Sequence, residues 1–308
     1  MATNTRSADA VARLGDDPAA HLKSESLTRR ALRRIRHDRL TLIALITLAL
    51  ITVLVVLADP ICRHILQVDP ETTNPQMRLL PPGSPGHILG TDDLGRDYAA
   101  RLLYGGQISL AIGFFGSVIT LTIGVLTGLI AGYFGGRVDD LMNWVITTLD
   151  SIPSIYLLLL LSTILTRSAV TLVIVIAMVG WTGGTRLVRG QTIQLRGMEF
   201  VISAKAMGAS SWRIMLVHIF PNTLSLMFLS LAGGIGGLML TEATLSFLKL
   251  GVQPPTPTWG NMLSNAQQFF TRGPHMATVS GLLIFVTVLC LFVIGDGLRD
   301  AFDPRIND

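Results

Sequence analysis

Apolar segments long enough to cross a membrane alternate with polar stretches along this chain. The six segments span residues 40–58, 107–131, 142–165, 169–186, 222–247 and 277–296. A helix that crosses a hydrocarbon core about 30 Å thick needs roughly 20 mostly apolar residues. In lipid, a single segment satisfies its own backbone hydrogen bonds only as a helix. The pattern therefore predicts an all-α polytopic membrane protein with six transmembrane helices.

The polar stretches indicate which side of the membrane each connection faces. Residues 59–106 contain six prolines, which favours a segment outside the bilayer. Cytoplasmic connections carry an excess of Lys and Arg. That excess is found if residues 1–39, the turn at Arg137, the connection from Arg186 through Arg213 and the tail 298–308 are all cytoplasmic. Both termini are predicted to be cytoplasmic, and residues 59–106 extracytoplasmic.

Composition favours a membrane protein over a soluble domain, a nucleic-acid-binding protein or a protein with a cysteine metal site. Hydrophobic residues make up 50% of the chain and charged residues only 14%, whereas soluble domains carry about 25% charged residues. The basic run at 27–39 lacks interleaved aromatic residues, so we interpret it as a topology signal and expect no nucleic-acid partner. Cys62 and Cys290 fit no metal-binding spacing and are predicted to be unpaired packing residues.

Residues 199–221 read EFVISAKAMGASSWRIMLVHIFP and carry too much charge to lie in hydrocarbon. Glycine at 208 can take the positive φ that ends a helix, and Ser210 or Ser211 can cap a following one. Pro221 suits the first turn of a helix. The segment predicts two short helices joined by a sharp turn, with an amphipathic helix lying flat on the membrane as the alternative. Helical spacing assigns its apolar positions to one face on each side of the turn: Phe200, Ala204 and Met207, then Trp212, Met215, Leu216 and Ile219.

This segment resembles the coupling loop of ABC importer permeases, in which E-A-A is followed by a spaced glycine and a terminal L-P. Ala204, Gly208 and Pro221 match that pattern. Four positions depart from it: Ile202, Ser203, His218 and Phe220. Dipeptide and oligopeptide permeases carry strings similar to three further stretches of this chain: HILGTDDLGRD (87–97), GVQPPTPTWG (251–260) and GDGLRDAFDP (295–304). One residue departs, because Lys249 stands where those permeases usually carry glycine. Together they resemble the DppC/OppC-type subunit of dipeptide/oligopeptide ABC importers.

The resemblance implies a fold, a function and a set of partners. Residues 107–297 would form a type I ABC importer permease domain in a bacterial inner membrane. The chain would pair with a second, homologous permease, two cytoplasmic P-loop ATPase subunits and an extracytoplasmic substrate-binding protein. Its substrate would be a peptide, with nickel chelates, glutathione or oligosaccharides as alternatives. The positions that would contact the ATPases are Glu199, Ala204, Lys205, Gly208, Ala209, Ser210, Trp212, Arg213 and Pro221.

Nucleotide chemistry is expected to lie on other chains. The chain has three lysines, and none belongs to the G-x-x-x-x-G-K-[ST] phosphate-binding pattern. We therefore expect no catalytic residue and no cofactor here, with ATP and magnesium bound by the partner ATPases. Histidines lie only in termini, connections or segment edges, which disfavours an intramembrane enzyme. A secondary transporter driven by an ion gradient stays open, because Asp150 lies within an apolar segment.

Several residues outside the 199–221 segment are candidates for a role in transport. Asp150, Pro153 and Glu242 are candidates for the translocation path or gate, and Pro153 should bend its helix. For Asp150 a purely structural pairing is the alternative. Gln253, Pro254, Pro255 and an exposed Trp259 are candidates for docking the binding protein.

Two local patterns also carry predictions about structure. The acids of the 87–97 string do not fit a calcium loop, so no metal site is expected, and Thr91 or Asp92 should instead cap a helix. Glycines that recur every four residues favour close helix packing, at Gly124, Gly128 and Gly132 and again at Gly233 and Gly237.

Overall fold

The computed structural model describes residues 33–166 and 168–302. The regular elements within these ranges are helical. Predictions for residues 1–32 and 303–308, which include most of the basic N-terminal segment and the end of the tail, lie outside the described residues. The nine principal helices of the described ranges are α1 (Arg39–Val56), α2 (Tyr98–Phe134), α3 (Gly136–Asp150), α4 (Ser154–Ile164), α5 (Ala169–Arg196), α6 (Glu199–Ala206), α7 (Phe220–Phe247), α8 (Trp259–Ala266) and α9 (Pro274–Phe302).

The predicted spans correspond to five long helices and one broken pair. Within the described ranges, α1, α2, α5, α7 and α9 are long and apolar enough to cross a membrane. Helices α3 and α4 pass the same test together but are bent by 79° between Asp150 and Ser154. Counting the bent pair as one span gives the predicted six. The bend falls at Pro153, as predicted, because proline cannot donate the backbone hydrogen bond that would continue α3.

Several helices extend beyond the apolar segments that predicted them. Helix α2 begins at Tyr98 rather than 107, so the last residues of the predicted 59–106 segment are helical. Helix α5 continues past 186 to Arg196, and α9 covers Pro274–Phe302 rather than 277–296. Hydropathy marks where a chain can contact lipid, whereas a helix continues into water as long as its backbone bonds and contacts persist. The short fourth segment is thus part of a long helix.

Helices α2 and α5 pack most closely, at the glycines that the sequence singled out. A Cβ atom placed on Gly128 would lie 2.8 Å from the Thr185 carbonyl oxygen, and one on Gly132 would lie 2.9 Å from that of Arg189. The hydroxyls of Thr127 and Thr185 lie 2.7 Å apart across the contact. Close helix packing was also predicted at Gly233 and Gly237 of α7. The structure does not show it at Gly237, where a Cβ atom would meet nothing within 4 Å. Backbone approach therefore ties α2 to α5.

Residues 59–97 contact the start of α2, the end of α8 and the start of α9. The predicted helix cap at Thr91 or Asp92 was wrong, because the cap is Asp97, whose Oδ1 accepts a hydrogen bond from the Ala100 amide at 2.8 Å. His87 Nδ1 lies 2.7 Å from the other oxygen of Asp97. Asp92 is buried and has a different role, since it pairs with Arg96. The segment is thus fixed to the start of α2 by side-chain contacts.

Candidate functional site

The 199–221 segment folds as two helical pieces joined by a tight turn. Helix α6 ends at Ala206, and the amide of Ala209 bonds back to the Ala204 carbonyl oxygen at 3.1 Å. Gly208 has φ +84°, which confirms the predicted positive φ. Ser210 is the cap of the next piece, with its Oγ accepting from the Arg213 amide at 3.4 Å. Ser210 and Ser211 were both predicted as possible caps, and Ser210 is the one that caps the helix.

The second piece enters α7 through a wide helical turn. Ser211–Arg213 leads into a π-helical stretch, Ile214–Ile219. The Phe220 amide donates to the Met215 carbonyl oxygen, five residues back. Pro221 lies in the first turn of α7, as predicted, and the Asn222 side-chain amide donates to the His218 carbonyl oxygen at 2.6 Å. The chain therefore passes from the turn into α7 without leaving helical geometry.

The buried face of this segment differs from the face assigned by spacing. Four of its buried residues pack with Val125, Leu129 and Val188 of α2 and α5: Val201, Ala204, Ile214 and Ile219. Met215 is buried as well. Met207 is 82% exposed and Trp212 58% exposed, so neither belongs to the buried face. Phe200 and Leu216 are exposed as well. Apolar residues spaced three or four apart mark one face of a helix. The spacing alone does not show whether that face packs inside the protein or lies exposed, where a partner could cover it.

Most of the predicted coupling residues lie on the surface of this segment. Glu199, Lys205, Arg213 and Pro221 are exposed, as are Gly208 and Ser210, while Ala209 is half-buried and Ala204 is buried. Charged groups and large apolar side chains therefore share one surface, beside the ends of α2 and α5. Solvent-facing aromatic and methionine side chains at such density are typical of a surface that another protein covers.

Asp150 lines a cavity of about 420 Å³ at the bend between α3 and α4. Residues of α5 and α7 close its other sides. Thr182 donates its hydroxyl to Asp150 Oδ1 at 2.9 Å, and Arg186 Nη2 lies 2.6 Å from Oδ2. In the single chain the side chains of Arg186 and Asp150 are 54% and 32% exposed. Two predictions were made for Asp150, a structural pairing and a place on the translocation path. In the structure its carboxylate is paired and also lies at the edge of a cavity.

Arg186 and Thr182 were not among the residues singled out from sequence. They lie four residues apart on α5, a spacing that places both on one face. The available signal was an arginine at the end of one apolar segment and an acid inside the segment before it, but Arg186 was counted only for topology. Three residues further along, Arg189 pairs with Asp139 of α3 through two hydrogen bonds, one of them 2.6 Å long. Helices α3 and α5 are thus joined by two ion pairs.

Glu242 does not face an open vestibule, which corrects the sequence-based expectation. It is 1% exposed, and its Oε1 accepts hydroxyl hydrogen bonds from Ser246 and Thr258, both at 2.8 Å. Thr258 is the N-cap of α8. A carboxylate beside a helix N-terminus is favoured by the free amides there. Glu242 therefore fixes α8 against the C-terminal end of α7.

The four docking candidates lie between α7 and the first residue of α8, and they differ in exposure. Pro254 and Pro255 are exposed and Gln253 is partly exposed. Trp259 was expected to be exposed, and this was wrong, because the structure buries it completely. It is the first residue of α8, and its indole Nε1 donates to the Leu102 carbonyl oxygen at 2.8 Å. The tryptophan therefore anchors the loop whose prolines reach the surface.

Replacing Trp259 with phenylalanine should destabilise the protein. The change removes the indole hydrogen bond to the Leu102 carbonyl oxygen, which keeps its bond within α2, and puts a smaller ring in a fully buried site, a loss of about 1–3 kcal/mol. The apparent melting temperature of the detergent-solubilised protein should fall by about 2–4 °C per kcal/mol. Trp144→Phe is the control, because Trp144 is 66% exposed on α3 and should change nothing. Equal melting temperatures for the two variants would contradict the anchoring role.

Comparison with known proteins identifies the family. The sequence model described as binding-protein-dependent transport system inner membrane component matches residues 124–308. That of the N-terminal transmembrane domain of oligopeptide transport permease C matches residues 26–82. The oligopeptide permease protein OppC of Bacillus subtilis is 36% identical over 97% of this chain and 96% of its own. The dipeptide permease protein DppC of Alkalihalophilus pseudofirmus is 38% identical over 91% of this chain and 90% of its own.

Other relatives and a solved structure agree on the fold and broad class. The glutathione permease protein GsiD of Escherichia coli is 39% identical over 89% of each chain. A structure of the MetNI methionine ABC transporter in an inward-facing conformation covers 65% of this chain and 95% of its own, with a TM-score of 0.50 and 20% identity. That likeness shows the fold of an ABC importer permease. The chain therefore belongs to the family of binding-protein-dependent transport system inner membrane components and, within it, to the OppC/DppC-type permeases.

Proposed function

We propose that this chain forms half of the translocation pathway of an ATP-driven peptide importer. Relatives named for oligopeptide and dipeptide transport match it over at least nine tenths of its length, which supports peptides as substrates. Relatives named for glutathione transport match at similar identity, and glutathione is itself a small peptide. Nickel chelates and oligosaccharides are weaker alternatives, since the relatives described above are named for peptide and glutathione transport.

The geometry of residues 199–221 carries this proposal. Helix α6, the Gly208 turn and the piece capped by Ser210 form a compact projection with an apolar underside on α2 and α5 and an exposed charged surface. The projection runs through a continuous helical connection into α7, so a force on it would reach that helix directly. We assign this surface to contact with an ATPase subunit that binds ATP and magnesium.

The remaining partners follow from the same assignment. A second, homologous permease would complete the pathway, and a substrate-binding protein would dock on the outer loop near Gln253, Pro254 and Pro255. The 199–221 projection faces the ATPases, so it lies in the cytoplasm together with both termini. The span count supports placing both termini on one side, because six spans, with the bent pair counted as one, return the chain to the side on which it began.

The cavity beside Asp150 is the proposed part of the translocation path. Its walls come from the bent pair α3–α4, from α5 and from α7, and α7 is the helix that continues from the projection. Charged side chains at membrane depth are costly unless they pair or contact water, and Arg186 and Asp150 pair with each other at the edge of this cavity. Movement of α7 would change the shape of this cavity.

A photo-crosslinking experiment tests the proposed contact with an ATPase. Benzoylphenylalanine placed at Trp212, which is 58% exposed, should cross-link in membranes to a P-loop ATPase identified by mass spectrometry. The same probe at Phe270, which is 63% exposed beyond α8, is the matched control on the opposite side. It should give no ATPase adduct. Adducts from neither position, together with uptake driven by an ion gradient without ATP, would favour a secondary transporter instead.

A further inference from the structure

Helix α7 is joined to the projection by a stretch in which the helical hydrogen bonding changes. Ile214–Ile219 is π-helical, and the Phe220 amide donates to the carbonyl oxygen of Met215, five residues back. From Phe220 onward the helix is an α-helix. A π-helical turn is rare, is usually a single turn, and is one of the identifiable causes of a bend in a helix. We call residues 214–223 the joint.

Pro221 leaves the joint one backbone hydrogen bond short, because a proline has no N–H to donate. In α-helical geometry the nitrogen of residue 221 would serve the carbonyl oxygen of Val217, four residues back. In π-helical geometry it would serve that of Leu216, five residues back. The bond is missing in either geometry, so the backbone alone holds the joint less firmly than the helix on either side.

Two side chains in the first turn of α7 add hydrogen bonds at this point. Asn222 Nδ2 donates to the carbonyl oxygen of His218 at 2.6 Å, and Thr223 Oγ1 donates to that of Phe220 at 2.8 Å. The Thr223 bond stays within α7, which begins at Phe220. The Asn222 bond crosses Pro221 and reaches the π-helical stretch. It therefore ties the two parts of the joint together where the backbone bond is missing.

Packing holds only one side of the joint. Three of its residues are at most 1% exposed: Ile214, Met215 and Ile219. On the other side, Leu216 is 53% exposed and Val217 is 57% exposed, and Asn222 is exposed as well. Burial resists bending on the side that faces the protein. On the exposed side the Asn222 hydrogen bond supplies the resistance.

We propose that Asn222 is a positioning residue for coupling, because its side-chain amide fixes the angle between the projection and α7. Asn222 does not line the cavity beside Asp150, so it would act through α7 and not by touching substrate. Without its bond, a displacement of the projection would bend the joint instead of moving α7. The role in coupling rests on the proposed function, whereas the role in fixing the angle rests on the joint alone.

Distances between spin labels on the full chain in lipid nanodiscs test the joint without requiring transport. Both native cysteines are replaced by alanine, and labels at Met207 (82% exposed) and Leu240 (44% exposed) report the angle between the projection and α7. Asn222→Ala should broaden this distance distribution, with bent arrangements about two- to tenfold more populated, the equivalent of the 0.5–1.5 kcal/mol that such a bond contributes. Labels at Met207 and Phe134, at the end of α2, are the control pair. Their distances should not change, because the projection packs on α2.

Uptake per ATP hydrolysed by the reconstituted complex tests the effect on coupling. Asn222→Ala should lower this ratio at least about threefold while ATP hydrolysis continues. Asn222→Thr should restore both the ratio and the distances, because threonine hydroxyls reach the carbonyl oxygen four residues back elsewhere in this chain, as from Thr148 to Trp144 at 2.8 Å. Asn143→Ala is the matched control and should change neither, since the Asn143 amide makes the same bond at 2.9 Å on α3, away from the joint.

The outcomes separate the role of Asn222 from the proposed function. Unchanged distances and an unchanged ratio in Asn222→Ala would overturn the proposal. So would a loss that Asn222→Thr does not restore, or an equal loss in Asn143→Ala. A wild-type complex that shows no ATP-dependent uptake would instead contradict the proposed function, and the label distances would still decide whether Asn222 fixes the joint.

Discussion

Replacing Gly208 with valine should leave the protein in the membrane and ATP hydrolysis active while uptake falls at least about tenfold. A valine at φ +84° places its Cβ against its own backbone, which costs roughly 1–2 kcal/mol. A side chain at this position meets nothing within 4 Å, so the strain is confined to the backbone of the turn. The turn relieves it by changing the angle between α6 and the piece capped by Ser210. The surface proposed to contact the ATPase would then no longer move α7 correctly. Transport and ATPase rates of the reconstituted complex measure this directly.

Two substitutions separate the role of this turn from a general effect of strain. Gly208→Asn should keep uptake close to wild type, because asparagine tolerates the left-handed region far better than valine. Gly83→Val introduces the same residue at φ +83°, also with nothing within 4 Å, but in the segment before α2 rather than in the 199–221 segment. It should leave coupling intact. Normal uptake by Gly208→Val, or equal losses in Gly83→Val, would contradict the assignment of this turn to coupling.

Local chemistry explains why the turn at Gly208 could be predicted from sequence. The positive φ, the serine cap and the proline in the first turn of α7 each depend on one residue and its immediate neighbours. The same holds for the bend at Pro153. Hydropathy likewise locates membrane segments, because each segment must satisfy its own backbone in lipid. These features need no knowledge of distant contacts.

Contacts between distant residues explain what the sequence did not reveal. Trp259 is buried because Leu102, 157 residues earlier, accepts its indole hydrogen bond. Glu242 is buried because Thr258, in the following loop, completes its hydrogen bonds. An aromatic residue beside three prolines and an acid at a helix end both resemble surface positions when only neighbours are considered. The partner of Asp150 was missed for the same reason, since Arg186 is 36 positions away along the chain.

Removing either charge of the Asp150–Arg186 pair should reduce uptake by at least about tenfold for each assembled transporter. Asp150→Asn leaves Arg186 without its carboxylate at the edge of the cavity, and Arg186→Gln leaves Asp150 with only the Thr182 hydroxyl. An unpaired charge inside a membrane protein is unfavourable and reorganises its surroundings. Exchanging the two residues, Asp150→Arg with Arg186→Asp, should recover uptake to within about threefold of wild type, because the pair is restored in reverse.

The second ion pair between the same helices shows whether position in the cavity matters. Asp139 and Arg189 join α3 to α5 with the same chemistry, but neither lines the cavity beside Asp150. Asp139→Asn should therefore lower the amount of assembled protein while transport per assembled complex stays within about twofold, as for a partly exposed structural pair. If Asp150→Asn gave the same result, the Asp150–Arg186 pair would be structural too. A loss of transport per complex in Asp150→Asn alone requires that its charge acts where substrate passes or where the path closes.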